Sequence, residues 1–330
     1  MKLKIDELNT SQFETLEEEW SELCRQSIVT PFQFPQWLIP WWHHFGGGIL
    51  KAVTFRYNGE LIGFAPLFIY SDNNNVRKLC LIGSGISDYL DIIIRHNNEN
   101  SVLPSFFSYL HDIKDQWDEC NFHDIAEESH LLHCLYPQWL RVKIEEFNIC
   151  PYIDRAEKND LSNIIPKKLR KNISHASREL KKKGCCTFEA ATDGSRLVFL
   201  DDLFSLHRAR WMKKNKTGVL NNDTLLSFHR CASERLCKDN LFKIYSLKLN
   251  DKIIAAYYTL YYKKCIYIYI GGFDPKMEKF SPGTLALYHV IEDAFNQGIE
   301  VFDFLRGDEF YKSLWGPFYR YNYRIRMVCR

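Results

Sequence analysis

The densest group of ionisable side chains follows a short apolar strand near the carboxyl end, in the segment FDFLRGDEFYK at 302–312. Asp303 alternates with phenylalanines in that predicted strand, and a buried carboxylate is costly unless it is paired. Arg306 and Lys312 are close enough in sequence to be its partners, while Glu309 opens the next predicted helix, where its charge is favoured. These residue types can accept a proton or hold an anion. A purely structural ion pair between Asp303 and Arg306 is the alternative.

A second segment that could bind a ligand begins with a strand that contains two glycines. Residues 267–270 alternate as a strand does, and Gly271 and Gly272 then interrupt the pattern. Glycine inside a strand is typical of a bulge, or of a point where a ligand or another backbone approaches closely. The predicted binding segment therefore extends over Gly271, Gly272 and Phe273.

The helix after these glycines has the start signals of an anion site. Ser281 is the predicted N-cap, Pro282 takes the first helical position, and Gly283 keeps the first turn free of a side chain. The exposed amides from Ser281 to Thr284 and the positive end of the helix together suit a pyrophosphate. An ordinary strand-to-helix connection with a good cap is the alternative.

Composition limits the possible classes of protein. The chain has 330 residues, with 46% hydrophobic and 25% charged side chains and a net charge of +2. These values exclude a disordered chain, and they give no global attraction to nucleic acid or to an anionic membrane. No apolar run is long enough to span a bilayer. Eleven cysteines at irregular spacing fit a reducing compartment, so we expect a cytoplasmic protein.

Hydrophobic periodicity predicts an α/β chain in two parts, 1–160 and 161–330. In the first part we expect a helix within 31–48 that is broken at Pro40, and a strand that opens at Asp88. The second part is predicted to contain the following helices and strands: helices 166–183, 195–213, 222–238, 282–297 and 308–315, with strands 185–191, 241–249, 252–262, 265–273, 301–305 and 318–328.

The helix over 166–183 is strongly basic. Its residues from 167 to 183 include eight lysines or arginines and one acid, Glu179. Such a face can capture a phosphate-rich ligand, with Lys168 and Arg170 as candidate contacts. An ordinary solvated helix face is the alternative.

Other polar residues are assigned to a substrate cleft. Asp88, Tyr89 and Asp91 follow a glycine turn and are expected to line the acceptor cleft between the two halves. Arg210 and Trp211 lie on a helix whose inner face is expected to border the same cleft. The histidines near residues 43 and 130 have no second pair at zinc spacing, so we predict no metal site.

Taken together, the motifs resemble the BioF2-like or CelD-type acetyltransferase family, relatives of the Gcn5-type (GNAT) and FemAB-type acyltransferases. The resemblance runs from about Phe32 to Tyr319 and is carried by the following pieces in order: TPFQFPQWLIPWWHHFG, LIGFAPLFI, LIGSGISDYLDIII, KKLRKNISHASRELKKKG, LHRARW, IAAYYTLYY, YIYIGGFDP, SPG and FDFLRGDEFYKSLWG. It implies two GNAT-like units in tandem. The unit at 161–330 would bind acyl-CoA, and a degenerate unit at 1–160 would contribute to the acceptor cleft.

The resemblance also implies an activity: transfer of an acyl group, with acetyl as the first choice, from coenzyme A to an amine. Asp303 or Glu309 would then accept the amine proton, and Arg306 and Lys312 would hold an anionic part of a substrate. The expected acceptor is a small amine, such as an amino sugar or a nucleotide-linked precursor of a surface polysaccharide. Aminoacyl transfer from tRNA and a catalytically silent scaffold are the alternatives.

Overall fold

A computed structural model describes residues 3–155, 160–213 and 222–330, apart from the side chains at 211 and 213. The chain forms two compact units, one made of Met1–Ile149 with Tyr321–Arg330 and the other of Cys150–Arg320. The predicted parts were 1–160 and 161–330. The bounds differ because the last strand pairs with a strand of the first unit, so the final ten residues belong there.

The first unit begins with helices and continues with short strands. Its elements are, in chain order, β1 (Lys4–Glu7), α1 (Thr10–Thr15), α2 (Glu17–Arg25), α3 (Pro35–Phe45), β2 (Ile49–Leu50), β3 (Val53–Tyr57), β4 (Glu60–Ala65), β5 (Leu67–Ser71), β6 (Arg77–Leu81), β7 (Ile93–Ile94), α4 (Glu99–Asp112), β8 (Glu119–Ala126), α5 (His130–His133) and the start of β9 (Leu140–Asp154). One sheet has the order β1-β3-β4-β7, and in a second sheet β8, β6, β5 and β2 are successive neighbours.

Aromatic side chains fill the core of the first unit. The Trp20 and Phe64 rings meet edge to face with centroids 4.6 Å apart, and the indole of Trp37 donates to the Ser87 hydroxyl at 2.9 Å. The predicted break at Pro40 is wrong, because α3 continues through that residue to Phe45. The missing amide removes only one helical hydrogen bond, and burial of the surrounding helix offsets that loss.

One further sequence prediction for the first unit holds only in part, and two strands were not predicted. The strand predicted from Asp88 is limited to β7 at Ile93–Ile94, and before it Leu90 forms an isolated bridge to Ile125. The long strands β8 and β9 had no sequence prediction at all. Much of β9 is exposed on both faces, so it lacks the alternation of apolar and polar residues that reveals a half-buried strand.

The second unit carries a mixed sheet between helices. Its elements are the end of β9, α6 (Lys167–Lys181), β10 (Cys186–Ala190), α7 (Arg196–Lys213), α8 (Asp223–Lys238), β11 (Phe242–Leu249), β12 (Lys252–Tyr262), β13 (Cys265–Phe273), α9 (Pro282–Asn296), β14 (Val301–Asp303), α10 (Phe310–Ser313) and β15 (Phe318–Cys329), which passes into the first unit. The strand order within this unit is β10-β11-β12-β13-β14-β9. Only the β13–β14 pair among these neighbours is parallel.

The apolar stripe of α6 explains the position of its charges. Leu169, Ile173, Ala176 and Leu180 are buried, and α6 packs against α9. The spacing of these residues places them on one face of the helix, so the lysines and arginines lie on the exposed remainder. A tight turn joins β11 to β12, with positive φ at Asn250 and Asp251.

Two histidines are buried, His207 on α7 and His229 on α8. His229 is fully buried, and its ring centroid lies 5.5 Å from that of Tyr258 and 5.7 Å from that of Tyr269. Burial lowers the pKa of His229 to about 3, with His207 as a second cause. Burial, assisted by Arg210, lowers the pKa of His207 to about 4. Both rings are therefore neutral at neutral pH.

All eleven cysteines are free thiols. No helix of the described residues is long and apolar enough to cross a membrane.

The two histidines predict a loss of stability in acid. Below the ordinary pKa of about 6.5 the unfolded chain binds protons that the folded chain does not, so the free energy of unfolding falls as pH drops from 6.5 towards 4. With two such groups, the slope of the unfolding free energy against pH approaches the value for two protons per molecule near about pH 5. Urea unfolding of H207N/H229N from pH 4 to 7 should show this part of the slope removed. His175→Asn, at an exposed position on α6, should leave the slope unchanged, and an unaltered slope in the double variant would contradict the assignment.

Candidate active site

A buried carboxylate ends β14. Asp303 is fully buried, accepts the Leu305 amide at 2.7 Å and forms an ion pair with Arg320. Arg320 is thus a partner of Asp303 that local sequence spacing did not indicate. The last strand of the unit brings Arg320 to the carboxylate, and β13 and β9 lie on either side of Asp303 in the sheet.

A buried ammonium fixes the backbone just after β14. Lys312 is 3% exposed. Its Nζ donates to the carbonyls of Leu305, Arg306 and Gly307 at 3.3, 2.7 and 3.3 Å and lies 2.8 Å from the Glu309 carboxylate. These partners use the donors of the ammonium, so Lys312 holds the 305–307 loop. It does not have the donors left for the substrate anion that we expected it to bind.

The two central strands separate immediately after this point. The parallel pairing of β13 with β14 covers three positions, from Cys265 opposite Val301 to Tyr267 opposite Asp303. Strand β13 continues to Phe273, whereas the chain after Asp303 turns away with a left-handed Leu305. From Ile268 onward, the β14-facing edge of β13 has no strand partner among the described residues.

The two glycines lie in the part of β13 whose β14-facing edge has no strand partner. We predicted that Gly271 and Gly272 interrupt the strand, but both remain paired with β12, and the register shift places the extra residue at Tyr269. The two glycines allow neighbouring atoms to approach the strand closely. A Cβ on Gly271 would lie 2.4 Å from Cε1 of Tyr257, and a Cβ on Gly272 would lie 3.0 Å from the backbone nitrogen of His207.

The amino end of α9 follows at the end of β13. Ser281 is the N-cap residue of α9, as predicted, but its backbone is left-handed and its side chain makes no capping hydrogen bond. Pro282 has no amide hydrogen, and Leu285 donates to the Ser281 carbonyl. The amides of Gly283 and Thr284 meet no acceptor in the described ranges. Two N–H groups at the positive end of a helix thus remain available to an anion.

Aromatic side chains pack around this helix start. The Tyr257 hydroxyl donates to the Gly283 carbonyl at 3.2 Å, and a Cβ on Gly283 would lie 3.0 Å from the Phe273 ring. The guanidinium of Arg210 lies 5.1 Å from the Phe273 ring centroid. The structure therefore brings together Arg210, Phe273 and the start of α9.

Two phenols near this cluster stay protonated. Burial raises the pKa of Tyr257 to about 12, opposed by Arg210. Burial also raises the pKa of Tyr311 well above its ordinary value, and the charges of Tyr257 and Glu309 act in the same direction. At neutral pH both side chains are hydrogen-bond donors, within electrostatic reach of Arg210 and Glu309.

The remaining residues predicted for the second unit have the following positions. Lys168 and Arg170 are exposed on α6, and Arg170 lines a cavity of about 540 Å³ between α6 and α9. Arg306 is partly exposed and contributes its carbonyl to Lys312. The side chain of Trp211 lies outside the described residues.

In the first unit, Asp88 and Tyr89 are buried at 4% and 2% exposure. Burial raises the pKa of the Asp91 carboxyl to about 7. Their assignment to an acceptor cleft stays a prediction. Within the described part of the chain, no group of three or more histidine, cysteine or acidic side chains is arranged to hold a metal.

Two residues of the site were missed by sequence reasoning. Arg320 lies 17 positions from Asp303, and no local spacing connects the two. Tyr257 belongs to a continuous buried run of β12, in which nothing distinguishes one tyrosine from the next. Each could be recognised only after strand pairing was known.

Comparison with known proteins agrees with this geometry. Residues 167–313 match a family model described as an acetyltransferase (GNAT) domain. The match contains β13, the start of α9 and the loop held by Lys312, and it supports an acyltransferase activity for this part of the chain. No curated protein matches the sequence.

Solved structures show the same fold at low sequence identity. FemX superimposes with a TM-score of 0.71 at 11% identity, covering 98% of this chain and 96% of that one. L-PGS from Bacillus licheniformis gives 0.61 at 13% identity, with 97% and 92% covered. The C-terminal domain of a protein named as a lysylphosphatidylglycerol synthetase, from Agrobacterium fabrum, gives 0.61 at 15%, with 96% and 92% covered. The predicted fold class, α/β with mixed sheets flanked by helices, is confirmed.

The buried ion pair predicts an asymmetric response to two neutralising substitutions. Asp303→Asn leaves Arg320 without its carboxylate, so we expect the free energy of unfolding to fall by about 2 kcal/mol, less than for a fully buried pair because Arg320 is partly exposed. Asp308→Asn, five positions later and exposed, should change it by less than about 0.5 kcal/mol. Urea denaturation measures both, and equal small effects would show that the pair does not stabilise the fold.

Proposed function

We propose that the second unit is an acyl-CoA-dependent N-acyltransferase. The observation that carries the proposal is the separation of β13 from β14 after three paired positions, next to a helix start with two available amides. An opening between parallel strands can admit an extended ligand. The helix start can bind its phosphates. The GNAT match over 167–313 supports the same assignment.

The residues of this site fit coenzyme A. The amides of Gly283 and Thr284 would hold the pyrophosphate, and Arg210 is a second cationic group beside Phe273. The unpaired edge of β13 presents backbone groups of the kind that bind a pantetheine arm. Acyl-CoA supplies the activated thioester; the protein has to position it, exclude water and manage protons.

Glu309 is the better placed of the two candidate bases. Asp303 is fully buried and bonded to Arg320 and the Leu305 amide, whereas the side chain of Glu309 is 54% exposed. Glu309 would accept a proton from the amine, directly or through one water, as the amine attacks the thioester carbon. The carbon–sulfur bond then breaks, and the protonated Tyr311 can donate a hydrogen bond or a proton to the departing sulfur, since the Tyr257 hydroxyl already donates to the Gly283 carbonyl.

The narrower assignment follows from the family resemblance. The acyl group would be acetyl, and the acceptor would be an amino sugar or a nucleotide-linked amine used in cell-envelope polysaccharide synthesis. The BioF2-like and CelD-type membership belongs to this proposal as well. Its support is the order of motifs along the chain.

Aminoacyl transfer from tRNA is the second candidate, and the exposed charges of α6 favour it. Lys167, Lys168, Arg170 and Lys171 lie on the exposed part of this helix, and such a face suits a polyphosphate backbone. The fold similarity to FemX is compatible with this alternative. A silent scaffold is less favoured, because the opening at β13 retains the features that a donor site needs.

Removal of one backbone amide tests the donor site. Thr284→Pro deletes an N–H in the first turn of α9, where proline is tolerated, and Thr284→Ala keeps it. We expect the dissociation constant for acetyl-CoA to rise about tenfold in the proline variant, as for loss of one charge-assisted hydrogen bond, and to change little in the alanine variant. Isothermal titration calorimetry measures both.

The same titration separates the alternatives. Equal affinity in the two variants would mean that phosphate is not bound at α9. Absence of heat with acetyl-CoA, together with salt-sensitive binding of tRNA, would favour aminoacyl transfer. Absence of both would favour the scaffold.

A second experiment tests the base. Glu309→Gln should lower turnover by about 100-fold or more while leaving the affinity for acetyl-CoA unchanged. Asp308→Asn is the matched control, since it removes a neighbouring exposed charge, and it should stay within about threefold of the parent. Thiol release from acetyl-CoA with free and UDP-linked glucosamine measures turnover. Full activity of the Glu309 variant would remove it from the reaction.

A further inference from the structure

The first unit contains a cavity of its own, of about 660 Å³. It lies between one face of α4, the short helix α5 and the loop from residue 134 to 139. This volume is in the range of pockets that hold small organic ligands, roughly 300–1,000 Å³. None of the residues assigned to acyl transfer lines it.

The walls of the cavity are mainly apolar and aromatic. Leu103 and Phe107 face it from α4, and Tyr136 and Trp139 come from the loop. Leu135, at the rim, is 96% exposed, which is unusual for a leucine beside an apolar cavity. These walls suit a ring-sized apolar group.

Glu99 and the two histidines give the cavity acceptor groups, and Asn100, Ser108 and Trp139 in its lining carry donors. Oε1 of Glu99 accepts from the Asn97 amide at 3.1 Å and contacts Nε2 of His130 at 3.2 Å. Oε2 has no partner among the described residues, although the Glu99 side chain is only 18% exposed. Nε2 of His133 donates to the Glu127 carbonyl at 3.1 Å. In the neutral rings of both histidines the remaining Nδ1 is therefore an acceptor.

The charge of the lining follows the same pattern. The described residues that line the cavity include no lysine or arginine. A phosphate or carboxylate would find no permanent cation there, whereas an ammonium would meet Glu99 and the faces of the aromatic side chains, which attract cations.

We propose that this cavity is a binding site for an organic amine: an ammonium group on an apolar, ring-sized body. The ammonium would bind Oε2 of Glu99, and the ring would lie against Phe107, Tyr136 and Trp139. This site is independent of the proposed acyl transfer, because it needs neither coenzyme A nor any residue of the second unit.

Three ligands with the same ring test the proposal. Tryptamine carries an ammonium, indole is neutral and indole-3-acetate carries a carboxylate. Ligand-observed NMR and calorimetry on the full chain without coenzyme A should show tryptamine binding at least about tenfold more tightly than either of the others, as expected for one charge-assisted hydrogen bond.

Two variants assign the binding to this cavity. Glu99→Gln keeps size and shape and should remove the advantage of tryptamine over indole, while Glu146→Gln, an exposed acid outside the cavity, should keep it. Trp139→Leu should weaken all three ligands, with unchanged thermal unfolding showing that the chain remains folded.

Other outcomes contradict the proposal. Equal affinity for the three ligands, or preference for indole-3-acetate, would overturn the choice of an amine. Absence of binding by all three, or an advantage of tryptamine that survives Glu99→Gln, would overturn the site itself. Each of these results is independent of whether acetyl-CoA binds at α9.

Discussion

The shape of the second unit depends on two buried charges at the end of β14. A strand next to β13 would normally continue to pair, because unpaired backbone groups in a sheet are costly. Here the Asp303 carboxylate accepts a hydrogen bond from the Leu305 amide. The Lys312 ammonium donates to the carbonyls of residues 305, 306 and 307. The backbone groups of the 305–307 loop are thus satisfied away from β13, and the two strands can separate. Neither charge would be stable in this position without those partners.

These bonds change the interpretation of the ionisable side chains in the segment 302–312. Asp303 and Lys312 have the residue types of an acid–base pair, but their bonds are directed to backbone and to Arg320, so they build the site. The groups that keep bonding capacity for a ligand are the amides at the start of α9, the Tyr311 phenol and the exposed carboxylate of Glu309, one oxygen of which pairs with Lys312. Because burial keeps Tyr311 protonated, the site contains a donor for a leaving anion as well as an acceptor that can take a proton. Such a complement is what transfer from a thioester to an amine needs.

The sequence predicted the helices and strands of the second unit well, because strong signals mark their ends. Asn250 and Asp251 fix the β11–β12 turn, and proline marks the start of α9. The sequence did not predict how the strands are used. Gly271 and Gly272 indicated a bulge, yet the bulge lies at Tyr269 and the glycines serve close packing, since both uses favour the same residue. The pairing of Asp303 with Arg320 was equally beyond local spacing, which favoured Arg306. In the first unit, exposed strands such as β9 have no alternation to detect.

A net charge near zero conceals a separation of binding chemistry between the two units. In the second unit, cations cover the exposed face of α6, and available amides lie at the start of α9, so this unit suits anions. In the first unit, the cavity beside α4 offers a carboxylate oxygen and imidazole acceptors between aromatic walls, so it suits cations. Each arrangement depends on a local choice of residues and would be invisible in the total of 43 basic and 41 acidic side chains. Charge therefore informs function here only when it is counted element by element, after burial has shown which groups a ligand can reach.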